Sequence, residues 1–234
     1  MNKKTKLTIL LSALILAIVV FGVSVFCGYH WNLNCDFLPQ TFLTHIVMLI
    51  LSVGLILAFK NKVSYRIAMP KLKQVFRPMR DGLLVAILVN ITLGILFHFL
   101  GEKPETHPAI DGMSALQCLI FIVFLASIAE EHLFRGFLQN YLKPLSDKGF
   151  NLFRWRISFP VLIGAIAFSL AHLILLSSGV SGFFMTRILV FTFLLGLIAG
   201  YYQEKHDNIA FAIIVHASAN LLGLLSILLN AAVS

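Results

Sequence analysis

Charge is what this sequence has least of. Only 12% of its 234 residues are Asp, Glu, Lys or Arg, against about 25% in soluble globular domains. A water-facing surface for a chain of this length cannot be covered by so few charges, which excludes the soluble globular class. With 59% apolar residues, disorder is excluded as well. There are three cysteines and no C-x-x-C, so neither a thiolate metal site nor a disulfide framework is indicated. Cys27 and Cys35 are spaced to allow pairing in an oxidising compartment, and Cys118 reads as a small core residue in an apolar run. A Gly-rich phosphate loop, an internal repeat, a low-complexity tract and a loop large enough to be a soluble domain are all missing. Acidic residues are the scarcer sign, 10 against 18 basic, for a net charge of +8. In a soluble protein that excess would point to nucleic acid; in a membrane protein it marks cytoplasmic loops.

What is present is long apolar runs. Seven are long enough to cross a bilayer, near 7–29, 41–59, 82–100, 112–142, 157–177, 183–202 and 209–230, since a spanning helix takes about 20 residues. The expected fold is all-α: one integral membrane domain over 1–234, a polytopic bundle of about seven transmembrane helices. The fourth run would make a helix on the order of 45 Å, so one end should project or tilt. The first run is too long for a signal peptide and lacks a small-residue cleavage site, so it is expected to be an uncleaved anchor.

The basic residues sort by loop. Lys3, Lys4 and Lys6; Lys60, Lys62, Arg66, Lys71, Lys73, Arg77 and Arg80; Lys143, Lys148, Arg154 and Arg156; and Lys205 fall on one side, with Lys103 alone opposite beside Glu102, Glu105 and Asp111. The positive-inside rule then expects the N-terminus in the cytoplasm and the C-terminus outside. The +8 is therefore a topology signal and no nucleic-acid partner is expected; the lipid bilayer is. The loop holding Pro70 and Pro78 is expected to touch anionic lipid and to contain a short interfacial helix.

Ionisable groups inside spans are functional candidates, and three places supply them. The first is Glu130-Glu131-His132-Leu133-Phe134-Arg135 in the fourth run. Glu131 and Arg135 are four apart on one helix face and suited to an ion pair. Glu130 points about 100° away and is left as a candidate general base. The second is Phe168-Ser169-Leu170-Ala171-His172, and the third is His216-Ala217-Ser218-Ala219-Asn220. His216 and Asn220 share a face, with small residues between them that allow close approach, and both can donate to a developing oxyanion. Glu130 with His172 suits activation of water for attack on an amide carbonyl. Glu130, His172 and His216 equally make a catalytic zinc donor set, so metal-free and zinc chemistry both stand on the residues alone. By helix rise, Glu130 lies about 18 Å deep, His172 about 22 Å and His216 only about 10 Å.

E-E-x-x-x-R, F-x-x-x-H and H-x-x-x-N on successive membrane helices resemble the CPBP family of intramembrane proteases, which comprises CAAX prenyl endopeptidases and bacterial bacteriocin-processing and self-immunity (Abi) relatives. Glu130, Glu131, Arg135, Phe168, His172, His216 and Asn220 all fit. The resemblance covers 112–230 as a catalytic core and leaves the spans of 1–111 unassigned. It implies a helix bundle around a cavity open toward the cytoplasmic side. It implies that Glu130 and His172 activate water, that His216 and Asn220 form the oxyanion site, and that Glu131, Arg135 and Phe168 support them. It makes His132 a variable position. It leans toward glutamate-dependent chemistry without a cofactor, zinc being the alternative. The expected substrate is a peptide or membrane-protein segment, and the expected setting is a bacterial inner membrane. A non-catalytic scaffold or self-immunity protein, and less so a proton-coupled transporter, are the competing functions.

Overall fold

The structure is a computed structural model that describes residues 1–31, 33–103, 105–153 and 155–233; Arg154, one of the expected loop cations, lies outside the described residues. Seven helices among them are long and apolar enough to cross a membrane. They are α1 (Lys3–His30), α2 (Thr41–Ala58), α3 (Leu72–Phe99), α4 (Ala115–Gln139), α5 (Phe159–Ser178), α6 (Gly182–His206) and α7 (Ile209–Val233). All seven coincide with the expected runs, and the protein is a polytopic all-α bundle.

Local chemistry sets the helix ends. The Asn2 side chain accepts from Thr5 N at 2.8 Å to start α1, and Ser158 and Ser181 cap α5 and α6 in the same way. Pro160 sits in the first turn of α5, where its missing N–H costs nothing. Large apolar side chains along α1 and α3, such as Ile18, Leu88 and Ile91, stay exposed, as lipid-facing surface does. The core draws on both halves of the chain, from Ala13, Met48 and Val85 to Leu195 and Val215. The first three helices are therefore packed into the same body as the last four.

Three details depart from expectation. The loop rich in Lys and Arg holds no separate interfacial helix; its second half, Pro78 included, is the first turns of α3, because the helix continues unbroken out of the apolar run. A two-stranded hairpin, Gly149–Leu152 with Trp155–Ser158, joins α4 to α5, and Trp155 stacks on Tyr201 at 4.9 Å. The long fourth run is shortened to Ala115–Gln139 and carries two π-helical stretches, Cys118–Ala126 and His132–Gln139, around a five-residue α segment Ser127–Glu131. Cys27 and Cys35 are both free thiols, one buried and one exposed.

Close approach between helices rests on glycine. On α6, a Cβ at Gly196 would come within 2.9 Å of the Ala165 backbone, and one at Gly200 within 2.7 Å of the Gln139 side chain. This G-x-x-x-G pair lets the polar face of α4 lie directly on α6. There Gln139 Nε2 donates to the Gly200 carbonyl at 2.9 Å and to Gln203 Oε1 at 2.6 Å.

Candidate active site

The carboxylate pair sits on the short α segment between the π stretches. Because Ser127–Glu131 is α-helical, its two carboxylates diverge by about 100°. Glu131 turns into the protein and is fully buried. Its Oε1 accepts from Arg135 Nη1 at 2.9 Å and from His216 Nδ1 at 2.8 Å. Arg135, also fully buried, donates through Nη2 to the Gly196 carbonyl at 3.2 Å. Glu130 turns the other way, onto a cavity, and its side chain keeps 16% of its area exposed.

Phe168 joins the other motifs to this pair. Its ring lies 4.6 Å beneath the Arg135 guanidinium. The ring centres of His172 and His216 lie 5.0 Å and 5.3 Å from it, both edge-on. One aromatic thus spaces a cation and two imidazoles. The F-x-x-x-H interval also lets His172 Nδ1 donate to the Phe168 carbonyl at 2.9 Å. A carbonyl only accepts, so the neutral ring carries its proton on Nδ1 and leaves the Nε2 lone pair available as a base. His172 marks the point where α5 tightens from α to 3-10 geometry.

His216 reaches both carboxylates, Glu131 through Nδ1 and Glu130 Oε2 through Nε2 at 3.8 Å. Its apparent shallowness disappears because α7 starts inside the protein. Asn208 and Ile209 are buried, and the Asn208 side chain is held to both backbone polar groups of Ala68, at 3.1 Å and 2.8 Å. Asn220 is placed differently. Its Nδ2 donates to the Ile122 carbonyl and to Ser127 Oγ, each at 3.1 Å, which clamps α7 to α4. The structure therefore brings Glu130, Glu131, Arg135, Phe168, His172 and His216 together and leaves the Asn220 amide engaged with α4.

Two further histidines belong to this site. His45 in α2 is buried and places Nε2 3.4 Å from Glu130 Oε1. It was legible as a lone ionisable group within the second apolar run, a fourth such place beside the three considered. His107, in the connection before α4, lines the same cavity. Burial, reinforced by His172, pushes its pKa down to about 4 against the pull of Glu130. Its Nδ1 accepts from Ala109 N at 3.1 Å, which also favours the neutral ring. His132, by contrast, is structural: Nδ1 donates to the Ile128 carbonyl at 2.7 Å and Nε2 accepts from Tyr65 Oη at 2.9 Å.

The cavity holds about 250 Å³ and runs from Glu130, His45 and His172 past Phe21 and Tyr29 to Ser178. Its walls come from the second half of α1, the start of α2 and the end of α5, the end of the bundle opposite the basic loops. The resemblance implied an opening at the basic end. That end is plugged by Phe137, Leu138 and Leu142, each fully buried, and by Phe59 packed edge-on to Tyr141 at 5.5 Å. As to zinc, the Glu130 oxygens already face His45 and His216, and among the described residues no three His, Cys, Asp or Glu side chains are arranged to hold an ion. No step is routed through a metal.

An all-α bundle whose interior carries a carboxylate, an ion pair and several imidazoles around one cavity defines a membrane protein with an ionisable core. Within that class, residues 111–222 match the family described as type II CAAX prenyl endopeptidase Rce1-like, in line with the resemblance to CPBP membrane proteases that the three motifs carry. The match supports a CAAX-type intramembrane endopeptidase in general terms. No curated protein and no solved structure matches the chain.

Proposed function

We propose that the protein is an intramembrane endopeptidase in which Glu130 and His172 activate water against a peptide carbonyl. The observation that supports this best is the division between the two carboxylates. Glu131 is consumed by Arg135 and His216, while Glu130 faces a cavity shared with His172.

Water held between the Glu130 carboxylate and His172 Nε2 gives up a proton to Glu130 as its oxygen bonds to the carbonyl carbon. The carbonyl oxygen becomes an oxyanion. His216 stabilises it by donating from Nε2, which requires both ring nitrogens protonated because Nδ1–H is already committed to Glu131. Asn220 contributes a second donor by releasing Ser127 Oγ. Collapse of the intermediate breaks the C–N bond, and Glu130 returns the proton to the leaving amine. Glu131, Arg135 and Phe168 hold the geometry. No cofactor is required.

The substrate is a segment of a membrane-associated peptide or protein, because the cavity wall is largely apolar along Phe21, Phe134 and Leu175, with Glu130, His45 and His172 at its base. With the N-terminus cytoplasmic in a bacterial inner membrane, the mouth of the cavity faces the outer side, so the substrate arrives from that leaflet or from beyond it. The test is cleavage of a quenched, membrane-anchored peptide by purified protein. Glu130→Ala and His172→Ala should each lower the rate by about 10²–10⁴-fold with unchanged helicity. Full activity in Glu130→Ala would sink the water-activating role.

A further inference from the structure

We infer that His45, on a helix outside the 111–222 family segment, is a positioning residue of the active site: its Nε2 holds one oxygen of Glu130 and thereby sets the plane of the carboxylate. This rests on the water-activating role of Glu130 proposed above.

The geometry is two-sided. Glu130 Oε1 faces His45 Nε2 at 3.4 Å, and Oε2 faces His216 Nε2 at 3.8 Å. The two oxygens of one carboxylate are therefore bracketed by imidazoles from α2 and α7, opposite ends of the chain. A carboxylate on a flexible side chain has two free torsions beyond χ1, and a base that must meet a water and a carbonyl at once works only when those torsions are fixed. Arg135 turns to the other carboxylate, with Nη1 on Glu131 and Nη2 on the Gly196 carbonyl. Among the described residues, His45 is the one side chain that meets Oε1.

His45 also behaves unlike a residue retained for packing. Its ring is buried, yet among the described residues Nδ1 has no hydrogen-bond partner, a desolvation cost that an apolar side chain of similar size would avoid. The other two imidazoles around this carboxylate each commit Nδ1, His172 to Phe168 and His216 to Glu131. His45 alone of these three faces Glu130 with one nitrogen and leaves the other unbonded. With Nε2 donating to Glu130, Nδ1 bears only a lone pair, and protein contacts do not saturate it. His45 also stands on the cavity wall with Met48 and Thr44, so α2 brings the ring to the substrate side of the carboxylate. The first half of the chain is thus part of the active site and more than an anchor for it.

Steady-state cleavage of the membrane-anchored reporter by His45→Phe and His45→Gln tests the inference, with Glu130→Ala run beside them. Phe keeps the ring volume and removes the donor; Gln restores a donor at nearly the reach of Nε2. His45→Phe should lower kcat by about 10–10²-fold with KM within about twofold, and His45→Gln should recover most of that loss. Both variants should keep the thermal midpoint of the parent within a few degrees, and a variant that does not fold is replaced by the other for the comparison with parent. Wild-type kcat in His45→Phe, or equal losses in Phe and Gln, overturns the inference. If Glu130→Ala itself cleaves normally, the failure lies instead with the role of Glu130.

Discussion

Glu131 lies fully buried between Arg135 and His216, at 2.9 Å and 2.8 Å, whereas Glu130 keeps part of its carboxylate on the cavity. The difference comes from one residue of helix rotation, and it separates stability from chemistry. Removing Arg135 leaves a buried carboxylate with only His216, so Arg135→Ala should cost about 3–5 kcal/mol, read as a lowered denaturation midpoint in detergent. Glu130→Gln should leave that midpoint nearly unchanged. His107 makes a pH prediction. Its pKa of about 4 lies below the ordinary 6.5, so between these values the unfolded chain binds the proton and the folded one does not. Stability contributed by the neutral ring is full above about pH 6.5 and is lost as pH falls toward 4. Thermal midpoints at pH 7 and pH 5 should differ less in His107→Gln than in the parent.

At the scale of elements, α4 carries the carboxylates and α6 makes room for it. Gly196→Ala drives a Cβ to 2.9 Å from backbone, which cannot yield, while Gly200→Ala meets a side-chain atom, the Gln139 amide oxygen, at 2.7 Å. The first should destabilise by about 1–3 kcal/mol and the second by less. Gly54→Ala, with nothing within 4 Å, should be neutral or stabilising by up to about 1 kcal/mol. Thermal unfolding of the three variants checks the order. The elements also show what sequence can carry. The Glu131–Arg135 pair and the Phe168–His172 bond follow from spacing on one helix, and both were legible. The first π stretch was not, because Cys-Leu-Ile-Phe-Ile-Val-Phe-Leu-Ala is apolar on every face and has no periodicity to misfit. The approach of His45 and His107 to Glu130 depends on how α2 and a distant loop pack on α4, which no local spacing encodes.

For the whole molecule, seven helices and the basic loops were evident from the paucity of charge and its one-sided placement. The direction of the cavity was not, because it is decided by side chains that plug one end: Phe137, Leu138 and Leu142 close the basic end, and the opposite end stays open beside Tyr29 and Ser178. With basic loops in the cytoplasm, a reporter fused before Lys3 should be cytoplasmic, and a cysteine introduced at Gly112 in a protein with Cys27, Cys35 and Cys118 replaced by Ser should be labelled from outside by an impermeant reagent. Labelling only after permeabilisation would invert the orientation and the side from which substrate enters. The chemistry is assigned to the cavity-facing member of the carboxylate pair, Glu130. The initial rate of reporter cleavage by Glu130→Gln, an isosteric change that keeps the helix and its packing, addresses it most directly. The expected result is a loss of about 10²-fold or more in kcat with a folded protein. A Glu130→Gln protein that cleaves at the parent rate would contradict it.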